Sequence, residues 1–161
     1  MASCLIVVDL QKGFINGHTR HLPKLIQAAK NHYDHLIFTQ FHNPPDSFFH
    51  TLIGWPKMNR ASKDFSLAFV PRADAIRIEK PTYSFVDATF LELLDKYKIS
   101  LIDIAGVDTD VCVTKCAVDL IEAGRVPTVL TKLCASTAGP KSHRAAVTSL
   151  RRFIGTRQVI T

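Results

Sequence analysis

The sequence predicts a three-layer α/β/α domain on a mainly parallel, Rossmann-like sheet of about six strands. Two observations lead there. Apolar runs of strand length alternate with segments whose apolar residues recur every three or four positions, the pattern of βαβ units joined by right-handed crossovers. The first run, Ser3–Leu10, is apolar on consecutive positions, so both faces of that strand are buried, as a parallel sheet covered on two sides requires. The 161 residues fit one domain, taken to span 1–161. An apolar content of 47% excludes a disordered chain.

After the Ser3–Leu10 strand, Leu22–His32 carries Leu22, Leu25, Ile26 and Ala29 at helical spacing. Leu36–Gln40 is the next strand. Phe41–Pro71 holds Pro44, Pro45, Gly54, Pro56 and Pro71, and reads as loop with one helical turn. A connection of that length in a compact domain usually has a function. Ala75–Glu79 is a short strand ended by Pro81, and Asp87–Tyr97 is a helix with Phe90, Leu91 and Leu94 on one side. Ile99–Ala105 is a strand, and Asp110–Ala123 a helix closed by Gly124. Pro127–Thr131, a helix over Lys141–Phe153 and an edge strand at Gln158–Ile160 complete the chain.

The net charge is +6, and much of the excess lies in Lys141, Arg144, Arg151, Arg152 and Arg157. No helix-turn-helix, zinc-finger or RNP-like pattern accompanies it, so it reads as a solvated helix face and no nucleic-acid partner is expected. The most apolar stretches, Leu5–Leu10 and Ser100–Val107, fall well short of the ~20 residues of a membrane span. No basic segment or cleavage site precedes the first strand, so the protein is expected to be soluble and cytoplasmic. Cys4, Cys112, Cys116 and Cys134 form no disulfide framework and have no structural-zinc spacing. Cys4, inside a strand, reads as a small buried apolar residue.

In open parallel sheets, ligands bind beyond the carboxyl ends of the strands, and three chemically active residues fall there. Asp9 ends the first strand, where an unpaired carboxylate is costly to bury. It serves either to tie down a loop or to move a proton. Lys80 follows the third strand, and Pro81 biases it towards an extended backbone. Cys112 follows Gly106, with Thr109 or Asp110 as helix N-cap, which puts the thiol in a helical first turn where backbone amides and a nearby lysine lower its pKa. A cysteine packed beneath the strand fits the same helical phase. Acid, cation and thiol at one rim form the set that attacks an acyl carbon, with backbone amides of the 106–112 turn stabilising the oxyanion.

These residues lie in three motifs: Leu5-Ile6-Val7-Val8-Asp9-Leu10-Gln11-Lys12-Gly13-Phe14, Glu79-Lys80-Pro81-Thr82-Tyr83-Ser84-Phe85, and Ala105-Gly106-Val107-Asp108-Thr109-Asp110-Val111-Cys112-Val113. Ala135-Ser136-Thr137 and His143 add to them. In this order they resemble the isochorismatase-like cysteine hydrolases, which include nicotinamidases and N-carbamoylsarcosine amidohydrolases. The resemblance implies a catalytic triad of Asp9, Lys80 and Cys112. It also implies a cis peptide between Val107 and Asp108, and an oxyanion hole from the amides of Asp108 and Cys112. Homo-oligomers are implied as well.

The sequence departs from nicotinamidases at Gln40-Phe41-His42, where they carry Asp-x-His to bind a metal. A neutral amide is a poor zinc ligand, and His50 is the one further imidazole in reach of the pattern, so neither metal nor cofactor is expected. Isochorismatase proper lacks the cysteine, so Cys112 points to an amide-like C–N bond in a small molecule, cleaved through a thioester. Hydrolysis of an ester or vinyl ether, or a binding module that kept the fold, are the alternatives. A nucleotide enzyme would need a glycine-rich turn after the first strand, and Asp9–Gly13 offers one glycine. Phe14, Phe41, Trp55, Tyr83 and Phe85 lie in strand-end loops. Of these, Phe14 and Tyr83 are the expected pocket residues because they neighbour Asp9 and Lys80.

Overall fold

The computed structural model describes residues 1–161 and contains six strands: β1 (Ala2–Val8), β2 (His35–Phe41), β3 (Ile76–Lys80), β4 (Ile99–Gly106), β5 (Pro127–Cys134) and β6 (Val159–Ile160). They form one sheet in the order β3-β2-β1-β4-β5-β6, and every neighbouring pair is parallel. Five helices join them: α1 (Leu22–Ala29), α2 (Phe48–Thr51), α3 (Ala88–Lys96), α4 (Thr114–Glu122) and α5 (Pro140–Ile154). No helix is long and apolar enough to cross a membrane.

Side chains of β1 alternate between two cores because strand residues point to opposite faces in turn. Cys4, Ile6 and Val8 pack with Phe90 and Leu94 of α3, Ala117 and Leu120 of α4, and Leu150 of α5. Leu5 and Val7 pack with Leu22 and Ile26 of α1, and with Phe41, Met58 and Phe69 of the long connection. The second face is therefore covered by one helix and a largely irregular segment, which is why the β2–β3 connection is so long. Its backbone is held from the segment just after β1: the Gln11 amide donates to the Phe41 and Phe65 carbonyls and its oxygen accepts from the Phe41 amide.

The strand order reverses at β1. The chain leaves β1 towards β2 over one face and enters β4, the other neighbour of β1, over the opposite face. This divergence opens a crevice beyond the carboxyl ends of β1 and β4. Gly106 closes its floor. A Cβ there would lie 2.2 Å from the Val8 carbonyl oxygen, and its φ of +117° is in the region that favours glycine.

Of the boundaries that differ from those read in the sequence, three bear on the crevice. β1 ends at Val8, since Asp9 takes φ +48° and leaves the sheet plane, a conformation Asp tolerates better than most side chains. β5 runs on to Cys134 through an irregularity against β4. The helix expected from Asp110 opens with a π-helical turn, Thr109–Val113, and becomes α-helical only at Thr114. Neither Thr109 nor Asp110 is its cap. Asp108 flanks the turn without a side-chain cap, because its carboxylate accepts instead from the Thr137 amide (2.7 Å) and hydroxyl (2.5 Å).

Candidate active site

Asp9, Lys80 and Cys112 meet at the crevice. Asp9 is fully buried, and each carboxylate oxygen has a donor: Thr39 Oγ1 at 2.6 Å on Oδ1 and Lys80 Nζ at 2.6 Å on Oδ2. Thr39, the one hydroxyl residue of β2, also accepts from the Asp9 amide at 3.0 Å. Sequence reasoning passed over it, although a lone hydroxyl in the run Leu36-Ile37-Phe38-Thr39 was the available signal.

Lys80 ends β3, and the chain after Pro81 curls back over it. Its ammonium donates to the Thr82 and Tyr83 carbonyls at 2.9 and 3.0 Å as well as to Asp9, which engages all three of its protons. Cys112 Sγ lies 3.9 Å from the same nitrogen. Burial works against the Lys80 charge, but Asp9 and the thiols of Cys112 and Cys116 together leave its pKa raised. The ammonium stays charged.

The Cys112 thiol departs from expectation. Burial pushes its pKa well above the usual thiol value, the Asp9 charge and hydrogen bond push the same way, and the lowering by Lys80 is outweighed. The turn supplies little relief, because its amides at Val111 and Val113 donate to the Asp108 carbonyl. The resting site is thus a carboxylate–ammonium pair beside a protonated thiol.

A cavity of about 210 Å³ opens over the sulfur. Asp108, Val111 and Cys112 form one side, and Phe14, Phe41, Phe49, Ile53, Trp55 and Tyr83 the rest. Phe14 stacks on Trp55 at 5.7 Å, and Phe49 meets both Phe41 and Tyr83 edge-on at 5.0 Å. Phe14 and Tyr83 thus lie where the sequence reading puts them. Phe85, the other aromatic residue close to Lys80 in the chain, packs against Phe90 in the core. Phe49 and Ile53 come from the loop around α2, which no local pattern ties to the crevice. The Val107–Asp108 peptide is cis, and the Asp108 amide makes no hydrogen bond within the protein. Burial raises the Asp108 pKa against the two Thr137 hydrogen bonds that lower it.

The residues at the nicotinamidase metal position do not suit a cation. The Gln40 amide donates to the Phe65 carbonyl at 3.0 Å. His42 Nδ1 lies 3.2 Å from Glu79, whose carboxylate also pairs with Arg60 and Arg77. His50 sits on α2, and no three His, Cys, Asp or Glu side chains gather around either histidine.

The sequence pattern of the isochorismatase domain matches residues 3–160. The chain belongs to the isochorismatase family. Members of this family are hydrolases. Among solved structures the fold is shared with an isochorismatase-like hydrolase from Alkaliphilus metalliredigens (TM-score 0.84, 18% identity, covering 100% of this chain and 95% of that one). It is shared equally with a nicotinamidase from Bacillus subtilis (0.82, 22%, 100% of both chains). A cysteine hydrolase from Pseudomonas syringae pv. phaseolicola gives 0.82 at 21% identity, over 99% of this chain and 88% of that one. No curated protein matches the chain by sequence.

Proposed function

We propose that this isochorismatase-family hydrolase cleaves the C–N bond of a small, flat, uncharged amide through a thioester on Cys112. The supporting observation is the convergence of Asp9, Lys80 and Cys112 beneath an aromatic cavity, with Lys80 Nζ 2.6 Å from Asp9 and 3.9 Å from the sulfur. An apolar, ring-lined space that presents few polar groups selects a flat molecule without net charge.

The raised thiol pKa sets the order of events. Attack is coupled to transfer of the Sγ proton to Asp9, and the Lys80 ammonium offsets negative charge as it forms on sulfur. The carbonyl oxygen becomes an oxyanion held by the Asp108 amide, with that of Cys112 as second donor. Asp9 returns the proton to the departing amine, takes one from the water that hydrolyses the thioester, and gives it to the Cys112 sulfur as the acid leaves, which restores the resting site.

The test is a panel of small aromatic and aliphatic amides, ureides and carbamoyl compounds, read by product release and by intact mass. Turnover together with an acyl adduct on Cys112, abolished in Cys112→Ala, is the expected result. Turnover undiminished in Cys112→Ala would overturn the covalent route.

A further inference from the structure

A second cavity, of about 300 Å³, lies at the carboxyl end of β5, outside the Cys112 site. Its wall carries Lys132, His18, His21 and His143, and no aspartate or glutamate lines it. One lysine and three imidazoles therefore line one space that no aspartate or glutamate side chain enters. Thr161 forms part of its edge.

Two buried hydroxyls on this wall lack an acceptor. Thr131 is 5% exposed, and its hydroxyl has no hydrogen-bond partner in the protein. Ser136 is 1% exposed, and its oxygen accepts from the Ala138 amide while its own proton is donated to nothing. Both residues line the cavity, each with a hydroxyl proton that no group of the protein accepts and that is free for an acceptor in the cavity.

The third contribution is backbone. α5 is 15 residues long and begins at this cavity with no side-chain cap on Gly139. The Lys141 and Ser142 amides have no acceptor in the protein, and the positive end of the helix dipole faces the same way. His143 bonds through Nδ1 to Thr109 Oγ1 at 2.8 Å, which leaves Nε2 for the cavity.

We infer that this cavity binds a phosphate-type oxyanion. Lys132 supplies charge, the imidazoles supply ring N–H donors, Thr131 and Ser136 supply hydroxyl donors, and the first turn of α5 supplies amides. The ligand is either free phosphate or the phosphate group of a small ester, since the wall reads only the oxyanion.

Inorganic phosphate and methyl phosphate, titrated into the intact protein by calorimetry, test this. Saturable binding is expected, weakened about tenfold in Lys132→Ala, where one charge-assisted contact is lost. Thr131→Val with Ser136→Ala, checked for retained fold by circular dichroism, is expected to weaken it similarly. Equal affinity for the two probes marks a site for the group, and preference for one identifies the source. Phosphate at saturation is expected to leave Cys112 open to alkylation. The proposal is overturned by absence of binding up to about 20 mM, far weaker than the ~4 kcal/mol of a millimolar site. It is equally overturned by binding that the variants leave unchanged, or by binding that protects Cys112, which would place the anion in the first cavity.

Discussion

Replacing Asp9 with asparagine keeps its shape and its hydrogen bond with Thr39 but removes the charge and the proton acceptor. In the native site Asp9 holds the Cys112 thiol up, alongside burial, while Lys80 opposes both. Without the carboxylate, the Lys80 ammonium is left with two carbonyls, and the sulfur 3.9 Å away is the one group in reach that can become its counter-anion. Lys80 pulls the thiol down in both proteins, so the change is the loss of the Asp9 charge and hydrogen bond, and a single neighbouring charge at that range is worth about one to three pKa units. The expected result is a fall of about one to three units in the midpoint of Cys112 alkylation by iodoacetamide, followed by intact mass between pH 5 and 10. Cys4, Cys116 and Cys134 are pushed by burial to about 12 and remain silent. Turnover moves the opposite way, down ~10²–10⁴-fold, because nothing remains to take the thiol proton during attack. A variant that becomes easier to alkylate while losing catalysis separates proton transfer from thiolate stabilisation. An alkylation midpoint unchanged or raised in Asp9→Asn would refute the assignment of Asp9 as the group that keeps the thiol protonated.

Cys112→Ser, with a far less acidic nucleophile, is expected to lose ~10³-fold or more in kcat without accumulating an ester, measured by turnover and intact mass. Gly106→Ala forces a Cβ to 2.2 Å from the Val8 carbonyl at φ +117°. It is expected to cost more than about 3 kcal/mol in urea denaturation, or to prevent folding. Lys80→Met leaves the fully buried Asp9 carboxylate unpaired and is expected to destabilise by ~3–5 kcal/mol at pH 7, read in the same assay. The buried thiols predict an alkaline limit. Cys4, Cys116 and Cys134 have folded pKa values of about 12 against 9.0 when free, so the unfolded chain loses their protons first and stability falls as pH rises from 9 towards 12. At pH 10 the loss is about 1 kcal/mol per thiol, and Cys4→Ala, measured at pH 8 and pH 10, is expected to show a smaller drop than the parent.

Much of the rim was legible along the chain because parallel connectivity places every strand's carboxyl end at one edge. Asp9, Lys80 and Cys112 each follow an apolar run, and their side-chain chemistry completes the pattern. Phe14 and Tyr83, close in the chain to Asp9 and Lys80, line the cavity over Cys112. Thr39, Phe49 and Ile53 were not legible, since nothing local shows which hydroxyl meets a carboxylate 30 positions away, or where an irregular loop folds over. Phe85 follows Lys80 closely, as Tyr83 does, yet it packs into the core with Phe90, so chain proximity alone does not place a side chain in the crevice.

By itself the sequence determined the layered fold, the residues that can carry acid, cation and thiol, and the substitution of Gln40 at the nicotinamidase metal position. Hydrophobic period and residue type are local properties, and local properties can be read one after another. Tertiary structure alone decided the state of the thiol: a helical first turn argues for a lowered pKa, yet burial and the adjacent carboxylate raise it. It also decided that a loop and one helix cover the second face, and that Lys132, three histidines and two hydroxyls line one space. Desolvation and the sum of charges depend on distances between segments far apart in the chain, and those distances exist only after folding.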